Sequence, residues 1–434
     1  MKHIRTSQKD HERFHDIVEK EVLPAHEVLI HIDQQEKMQT ILGFGGAFTE
    51  ASAYNLSRIN KVEREKAIKA YFDPVDGLGY TLGRVSIHGC DFSLGSYLYI
   101  DDYDDSLNSF SIKRDQPILD LILDASKIRG QKIQILASPW TPPFWMKDNK
   151  SPIHGGKLLP EYDQIWANYF VKFIEAYQNA GVDIFSVTIQ NEPAAVQRWD
   201  SCIYEAEDEA RFAKVLGKTF KDHKLDTKIY IWDHNRDLMV ERAKKTLEDK
   251  EASDYIYGIA FHWYDPEMFD EVKKTHDLFP DKHLIFTEGC QENGPHPLEY
   301  KVGERYGRNI INDFRNYNEG YIDWNLFLDD TGGPNHVNNL CSAPILLNIF
   351  HEEIVKNPSY YYIGHLSKYV MPGAKQIKSE GTKEVIYVAF INPDGKKVIV
   401  IQNESEADKK VSIQGLEEEI SILSKAHSIS TLII

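Results

Sequence analysis

Eight short apolar runs, each bounded by turn or helix signals, recur through the middle of this chain, and no other feature of its 434 residues restricts the fold as strongly. They read TILGFGG (40–46), YTLGRVSI (80–87), KIQILASPW (132–140), FSVTIQNEP (185–193), IYIWDHN (229–235), GIAFHWY (258–264), HLIFTEG (283–289) and YIDWNLFL (321–328). Between them lie segments of helical period, such as YDQIWANYFVKFIEAYQNAG and EDEARFAKVLGKTFKDH, each long enough to cross back to the starting edge of a parallel sheet. Eight strands alternating with helices predict an α/β fold of the (β/α)8 TIM barrel kind.

The chain ends have another texture. EVLIHID near the start, then EVIYVAFINPDGKKVIVIQNE, KKVSIQG and SISTLII near the end, alternate apolar with polar residues, and NPDG marks a hairpin turn. They predict a small antiparallel β-sandwich built from both chain ends, in which the first strand segment and the last close the sheet. The expected division is an N-terminal helical extension over 1–23, N-terminal sandwich strands over 24–42, the barrel over 43–372 and C-terminal sandwich strands over 373–434. Residues 1–22 are polar around most of a helical circumference, which suits a cap lying on the surface.

Charge and composition exclude several partners. A formal charge of -17 repels nucleic acid and anionic membrane surfaces. No stretch approaches the roughly 18 apolar residues of a spanning helix, and the start of the chain lacks the apolar core of a secretory signal, so no membrane insertion and a cytoplasmic location are expected. The four cysteines, Cys90, Cys202, Cys290 and Cys341, lie far apart without zinc-type spacing; four free thiols and no metal are expected, with Cys90 and Cys290 packing as small apolar groups. GFGGAF lacks both the GxGxxG spacing and a phosphate-binding lysine, so it reads as close backbone packing in the first strand, and no cofactor is called for.

Active sites of such barrels sit at the C-terminal ends of the strands. Here those ends carry Ser138-Pro139-Trp140, Gln190-Asn191-Glu192, His262-Trp263-Tyr264, Thr287-Glu288-Gly289 and Asp323-Trp324-Asn325. Two glutamates on the fourth and seventh strands, among aromatics and amides, can face each other across a central pocket. Glycoside hydrolysis needs such a pair: one acid to protonate the leaving oxygen, one carboxylate to attack the anomeric carbon or activate water. Trp140 and Trp324 serve either as barrel-top core or as sugar platforms, and Asp91 either caps the segment after it or reaches the pocket. An Arg beside a carboxylate lowers its pKa, so Arg84 on the second strand suits an ionised nucleophile, whereas the acid partner must keep its proton. Asp233 is expected to pair with Arg84, and His262 to act as a positioning residue in the pocket floor; neither it nor His234 has metal-ligand spacing. The run DDYDD (101–105) reads as a solvated loop.

Long motifs in order, GFGGAFTEASAYNLS, GRVSIHGCDFSLGSYLY, LASPWTPPFWMKDN, IQNEPAA, GIAFHWYD, FTEGC, DWNLFLDDTGGPNHVNN and YYIGHLSKYVMPGA, resemble glycoside hydrolase family 30, and within it the glucosylceramidase (acid β-glucosidase) branch. The resemblance covers most of residues 40–375. It implies a retaining β-glycosidase in which Glu192 is the acid/base and Glu288 the nucleophile, with Asn191 on the sugar 2-hydroxyl. Asp91, Trp140, Trp324 and Asn339 would bind the remaining hydroxyls, and Arg84 and Tyr264 would flank the nucleophile. The implied partner is a β-glycoside: an oligosaccharide, an aryl glycoside or a glycolipid. The polar segment AAVQRWDSCIYEAEDE after Glu192 departs from the apolar aglycone surface of glycolipid-cleaving members, which keeps endo-1,6-β-glucanase and β-xylosidase activities open beside glucosylceramidase. A catalytically inactive carbohydrate-binding barrel is the non-enzyme alternative.

Overall fold

Each of the eight apolar runs forms a strand in the computed structural model, which describes residues 1–19 and 21–434. The strands are β1 (Gly43–Ala47), β2 (Leu82–Ile87), β3 (Gln134–Pro139), β4 (Ile184–Thr188), β5 (Lys228–Asn235), β6 (Ile256–His262), β7 (His283–Glu288) and β8 (Gly320–Asn325). Neighbours in sequence pair in parallel, and β8 returns to pair with β1, so the sheet closes on itself and leaves no edge. Leu82, Leu136, Tyr230, Ala260, Ile285 and Ile322 fill the interior below the strand ends. Closure at β1 requires glycine: a Cβ on Gly45 would lie 2.0 Å from the Leu82 carbonyl oxygen, which accounts for GFGGAF as a packing motif.

The crossover helices follow from amphipathic spacing. In the helix Asp163–Asn179, Trp166, Phe170, Phe173 and Tyr177 recur every three or four residues and are buried on one face. Each such side chain contributes about 1.5–3 kcal/mol on burial. The turn back to β4 passes through Gly181 at φ +90°, a backbone conformation that an L side chain rarely adopts.

Strands from both chain ends form a nine-stranded sheet that is antiparallel in all but one pairing. The exception is Lys409–Gln414, which runs parallel to the long strand Glu27–Thr40. Val28, Ile30, Ile32, Ile399, Ile401, Val411 and Ile413 form its core. The N-terminal expectation needs correction: no helix forms among the described residues of that segment. Lys2–Ser7 is a strand paired antiparallel with Ser428–Ile433, and it is this segment, not Glu27–Thr40, that flanks the last strand. Its polarity does not mean exposure, because buried Arg5 is met by Glu12 at 2.6 Å and Glu21 at 2.8 Å, and His3 by Ser430. The sheet is fastened to the barrel through the helix Pro358–Ser367, where His365 lies 2.9 Å from both Thr6 Oγ1 and Thr431 Oγ1. No helix among the described residues is long and apolar enough to cross a membrane.

Candidate active site

Arg84 on β2 points into the barrel and organises everything above it. Fully buried, it donates from Nη1 to Glu288 Oε2 at 2.5 Å, and from Nη2 to Asn191 Oδ1 and Asp233 Oδ2, both at 2.8 Å. Asp233 is the second hub. Its Oδ2 also accepts from Ser138 and Thr188, and its Oδ1 from Thr287 at 2.6 Å, with His262 Nε2 at 2.9 Å. A local distortion aims it there: the pairing of β5 with β6 slips between Trp232 and His234, and both Trp232 (φ 73°) and Asp233 (φ 49°) adopt left-handed backbone. Such bulges re-aim a side chain at a strand end. Burial raises the pKa of Asp233, but Arg84, His262 and Thr287 outweigh it and hold the carboxyl far below the usual range.

The two glutamates meet over this floor. One oxygen of Glu192, one of Glu288 and a ring nitrogen of His262 all lie within 4.8 Å of one another. Glu288, at the tip of β7, accepts from Arg84 and from Tyr264 Oη at 3.0 Å. Glu192, just past β4 at φ 46°, has His262 Nδ1 at 3.4 Å and His234 Nε2 at 3.9 Å. Both ring nitrogens of His262 therefore face carboxylates, which accounts for the cluster as a charge-compensated hydrogen-bonded set. The pKa directions in the free site run opposite to the sequence expectation. For Glu288, burial pushes the carboxyl above its ordinary range against His262 and Arg84. For Glu192, burial pushes upward too, but His262 and His234 outweigh it and hold the group down. His262 itself loses by burial and gains more from Glu288, Asp233 and Glu192, rising to about 9.

A cavity of about 270 Å³ opens above the pair. Trp140 and Trp324 stack at 5.3 Å in its wall, with Phe92 edge-on to Trp324, and the Arg84 guanidinium lies 5.0 Å from the Trp140 ring. Both tryptophans line the cavity while belonging to a buried cluster, so core and pocket wall are the same residues here. Asp91 lies in the wall and caps no helix: its Oδ2 accepts from Asn335 Nδ2 and Asn339 Nδ2, both at 3.1 Å. Burial lifts its pKa to about 7 against those two amides. The strand ends thus bring together Asp91, Trp140, Asn191, Glu192, Tyr264, Glu288, Trp324 and Asn339 around one cavity, with Arg84, Asp233 and His262 beneath.

With barrel, sandwich and paired carboxylates in place, the comparison with known proteins is decisive. Residues 41–370 match the glycosyl hydrolase family 30 TIM-barrel domain, and residues 373–432 match the family 30 beta sandwich domain. The chain belongs to glycosyl hydrolase family 30. It is a glycoside hydrolase. Among its relatives, the lysosomal acid glucosylceramidase of Mus musculus is 33% identical over 89% of this chain and 79% of its own length. SrfJ from Salmonella typhimurium has the same fold at a TM-score of 0.93 and 32% identity, with 100% of this chain and 99% of that one covered. The endo-beta1,6-glucanase BT3312 follows at 0.89 and 30%, over 99% and 98%.

Several family 30 pocket residues of this chain escape a sequence reading. Gln197, Trp199, His234, Asn235 and Glu292 line the same cavity. Trp199 carried a faint signal as the first of two aromatics, with Tyr204, in the polar segment that follows Glu192. The sequence places His234 beside Asp233 near the site, but its approach to Glu192 depends on the β5 bulge. Asn335, Ser138, Thr188 and Thr287 act as donors, a role that composition does not reveal.

Proposed function

We propose that this family 30 enzyme is a retaining β-glycosidase that hydrolyses terminal β-glucosyl linkages through a covalent glycosyl-enzyme, with Glu288 as nucleophile and Glu192 as acid/base. The observation that carries the reading is the approach of the two carboxyl groups, whose nearest oxygens lie within 4.8 Å. Retaining enzymes hold the pair about 5–5.5 Å apart, whereas inverting ones leave about 6.5–9.5 Å for a water. Arg84 and Tyr264 supply the hydrogen bonds that favour an ionised Glu288. Asn191, with its carbonyl oxygen held by Arg84, has its amide free to donate towards the sugar 2-hydroxyl.

Glu192 must hold a proton when the glycosidic oxygen leaves. His262, with a pKa of about 9, carries one at neutral pH 3.4 Å from Glu192 Oε1; the opposed pKa directions keep that proton on the ring, so it passes to the carboxyl only as the leaving oxygen gathers charge. Once Glu288 is esterified, its charge is gone, and Glu192 is then suited to act as base towards water.

The aglycone side supports a sugar or other hydrophilic leaving group over a lipid. Gln197, His234, Asn235 and Glu292 are polar, and Trp199 offers a stacking face. The likeness to an endo-1,6-glucanase supports the second reading, in which the substrate is a β-1,6-linked glucan cleaved internally. A 2-deoxy-2-fluoro-β-glucoside with a good leaving group tests the mechanism. It should accumulate as an ester on Glu288 alone, located by peptide mass spectrometry. An ester on Glu192, or turnover with no trapped ester, would overturn the assignment.

A further inference from the structure

Two of the four cysteines meet in the wall of this pocket. Cys290 lies two residues past Glu288, and Cys341 two residues past Asn339; both are buried, free and border the cavity. Both belong to the one buried cluster that includes Phe92, Trp140 and Trp324. The backbone holds them together: Glu292 forms an antiparallel bridge with Cys341, and Ser342 N–H donates to the Gln291 carbonyl at 2.8 Å. Tyr264 Oη, which donates to Glu288, also lies 3.5 Å from Cys290 Sγ. Hydrolysis of a glycoside uses neither thiol. Cys90 and Cys202 have other neighbours, Ser93 and the Gly156 carbonyl.

We propose that Cys290 and Cys341 form an oxidisable dithiol, a modification site at which a small hydroperoxide closes a disulfide across the pocket wall. The Cys290 sulfur, giving up its proton, attacks a peroxide oxygen; the O–O bond breaks and the distal oxygen leaves as alcohol or water. The resulting sulfenic acid is attacked by the Cys341 sulfur, the S–S bond forms, the S–O bond breaks and water leaves. Two thiols lose two electrons and two protons in all, and the peroxide is reduced by the same two electrons. Burial raises the pKa of both thiols, so the reaction is slow at neutral pH and accelerates as pH rises. The cavity of about 270 Å³ admits a peroxide but not a protein oxidant, and a bound sugar shields the pair. The disulfide would tie the end of β7 to the segment carrying Asn339 and withdraw the Cys290 sulfur from Tyr264. Its effect on turnover rests on the catalytic reading above, whereas the cross-link does not.

The test treats the full chain with hydrogen peroxide, blocks remaining thiols by alkylation and maps the peptides. We expect a Cys290–Cys341 cross-link with Cys90 and Cys202 still reduced, and a fall in kcat/KM on the order of tenfold or more, the scale of small misplacements in an active site. Dithiothreitol should restore activity. Cys341→Val, compared with its own untreated form, should show neither cross-link nor loss. Phenylarsine oxide, which bridges two neighbouring thiols, should bind once per chain and not to Cys341→Val. Exhaustive oxidation that leaves both thiols free, or oxidises each separately without joining them, overturns the site. A mapped cross-link with unchanged kcat/KM overturns the coupling to catalysis and leaves the assignment of Glu192 and Glu288 untouched.

Discussion

Glu192 is held in a conformation that its residue type resists. At φ 46° it occupies left-handed backbone, a placement that costs about 1–3 kcal/mol and persists only where neighbours enforce it. Here its N–H donates to the Asp233 carbonyl at 3.0 Å, and its own carbonyl accepts from Ala195 at 2.9 Å. Two groups of one β5 residue thus govern the Glu192 side chain: the Asp233 backbone sets its position, and the Asp233 carboxylate orients His262 against it. If Glu192 supplies the leaving-group proton, Glu192→Ala should cut turnover of poor leaving groups by about 10²–10⁴-fold and spare the first step for activated aryl glycosides. Added azide should then speed the second step and release a β-glycosyl azide. An α-azide, or equal losses for good and poor leaving groups without rescue, would remove Glu192 from that role. The pair was legible in the sequence because Glu192 and Glu288 each end an apolar run. Their pKa directions were not, because these depend on how completely each group is buried and on the approach of His262 and His234, which lie 70 and 42 residues away from Glu192 in the chain.

Among elements, the segment after β8 decides how the pocket ends. Asp329 Oδ1 accepts from the backbone N–H groups of Thr331 and Gly333, both at 3.0 Å, and so shapes a turn that carries Asn335 and Asn339 back onto Asp91. Removing Asp91 leaves two amides without their acceptor at the end of the cavity. A hydrogen bond to a charged group contributes about 1.5–3 kcal/mol, so Asp91→Ala should lower kcat/KM on a short β-glucoside by roughly 10–150-fold for each hydrogen bond to the sugar that it removes, with the circular dichroism spectrum unchanged. If Asp91 and its two amides close the glucosyl end, a 1,6-linked β-glucan should yield glucose from the first minutes of digestion. Early di- and trisaccharides would instead indicate a cleft open at both ends. The strands and their order were readable from apolar runs, but the bulge at Trp232 and Asp233 was not. Neither residue favours left-handed backbone as glycine does, so nothing local announces the distortion. The N-terminal strand escapes a sequence reading for a related reason: His3, Arg5 and Thr6 are polar, and only their partners Ser430, Glu12 and His365 make burial tolerable.

At the scale of the whole molecule, the join between sandwich and barrel is sensitive to acid. His365 lies between Thr6 and Thr431 at that join, His3 sits beside Ser430 in the adjoining strand, and His88 lies within the barrel between Tyr169 and the Thr141 carbonyl. Burial lowers all three, His365 to about 3 and the other two to about 4, with the Arg5 charge adding to the effect at His3. Each is therefore neutral when folded, while its unfolded counterpart takes up a proton below about 6.5. The unfolded state then binds more protons, so each histidine's contribution is fully present above pH 6.5 and declines as pH falls, by about 1.4 kcal/mol per pH unit until the folded pKa is reached. Buried acids such as Asp323, raised well above the ordinary range, act in the opposite sense, so the slope of the whole protein does not isolate the histidines. A difference does. His365→Gln keeps a donor and an acceptor between the two threonines but cannot titrate, and its unfolding free energy between pH 6 and pH 4 should lose about one proton of pH dependence relative to the parent chain. Identical slopes for the two proteins in urea titrations across that window would mean that His365 is already protonated in the folded state, and that the join is held by something other than a neutral imidazole between two hydroxyls.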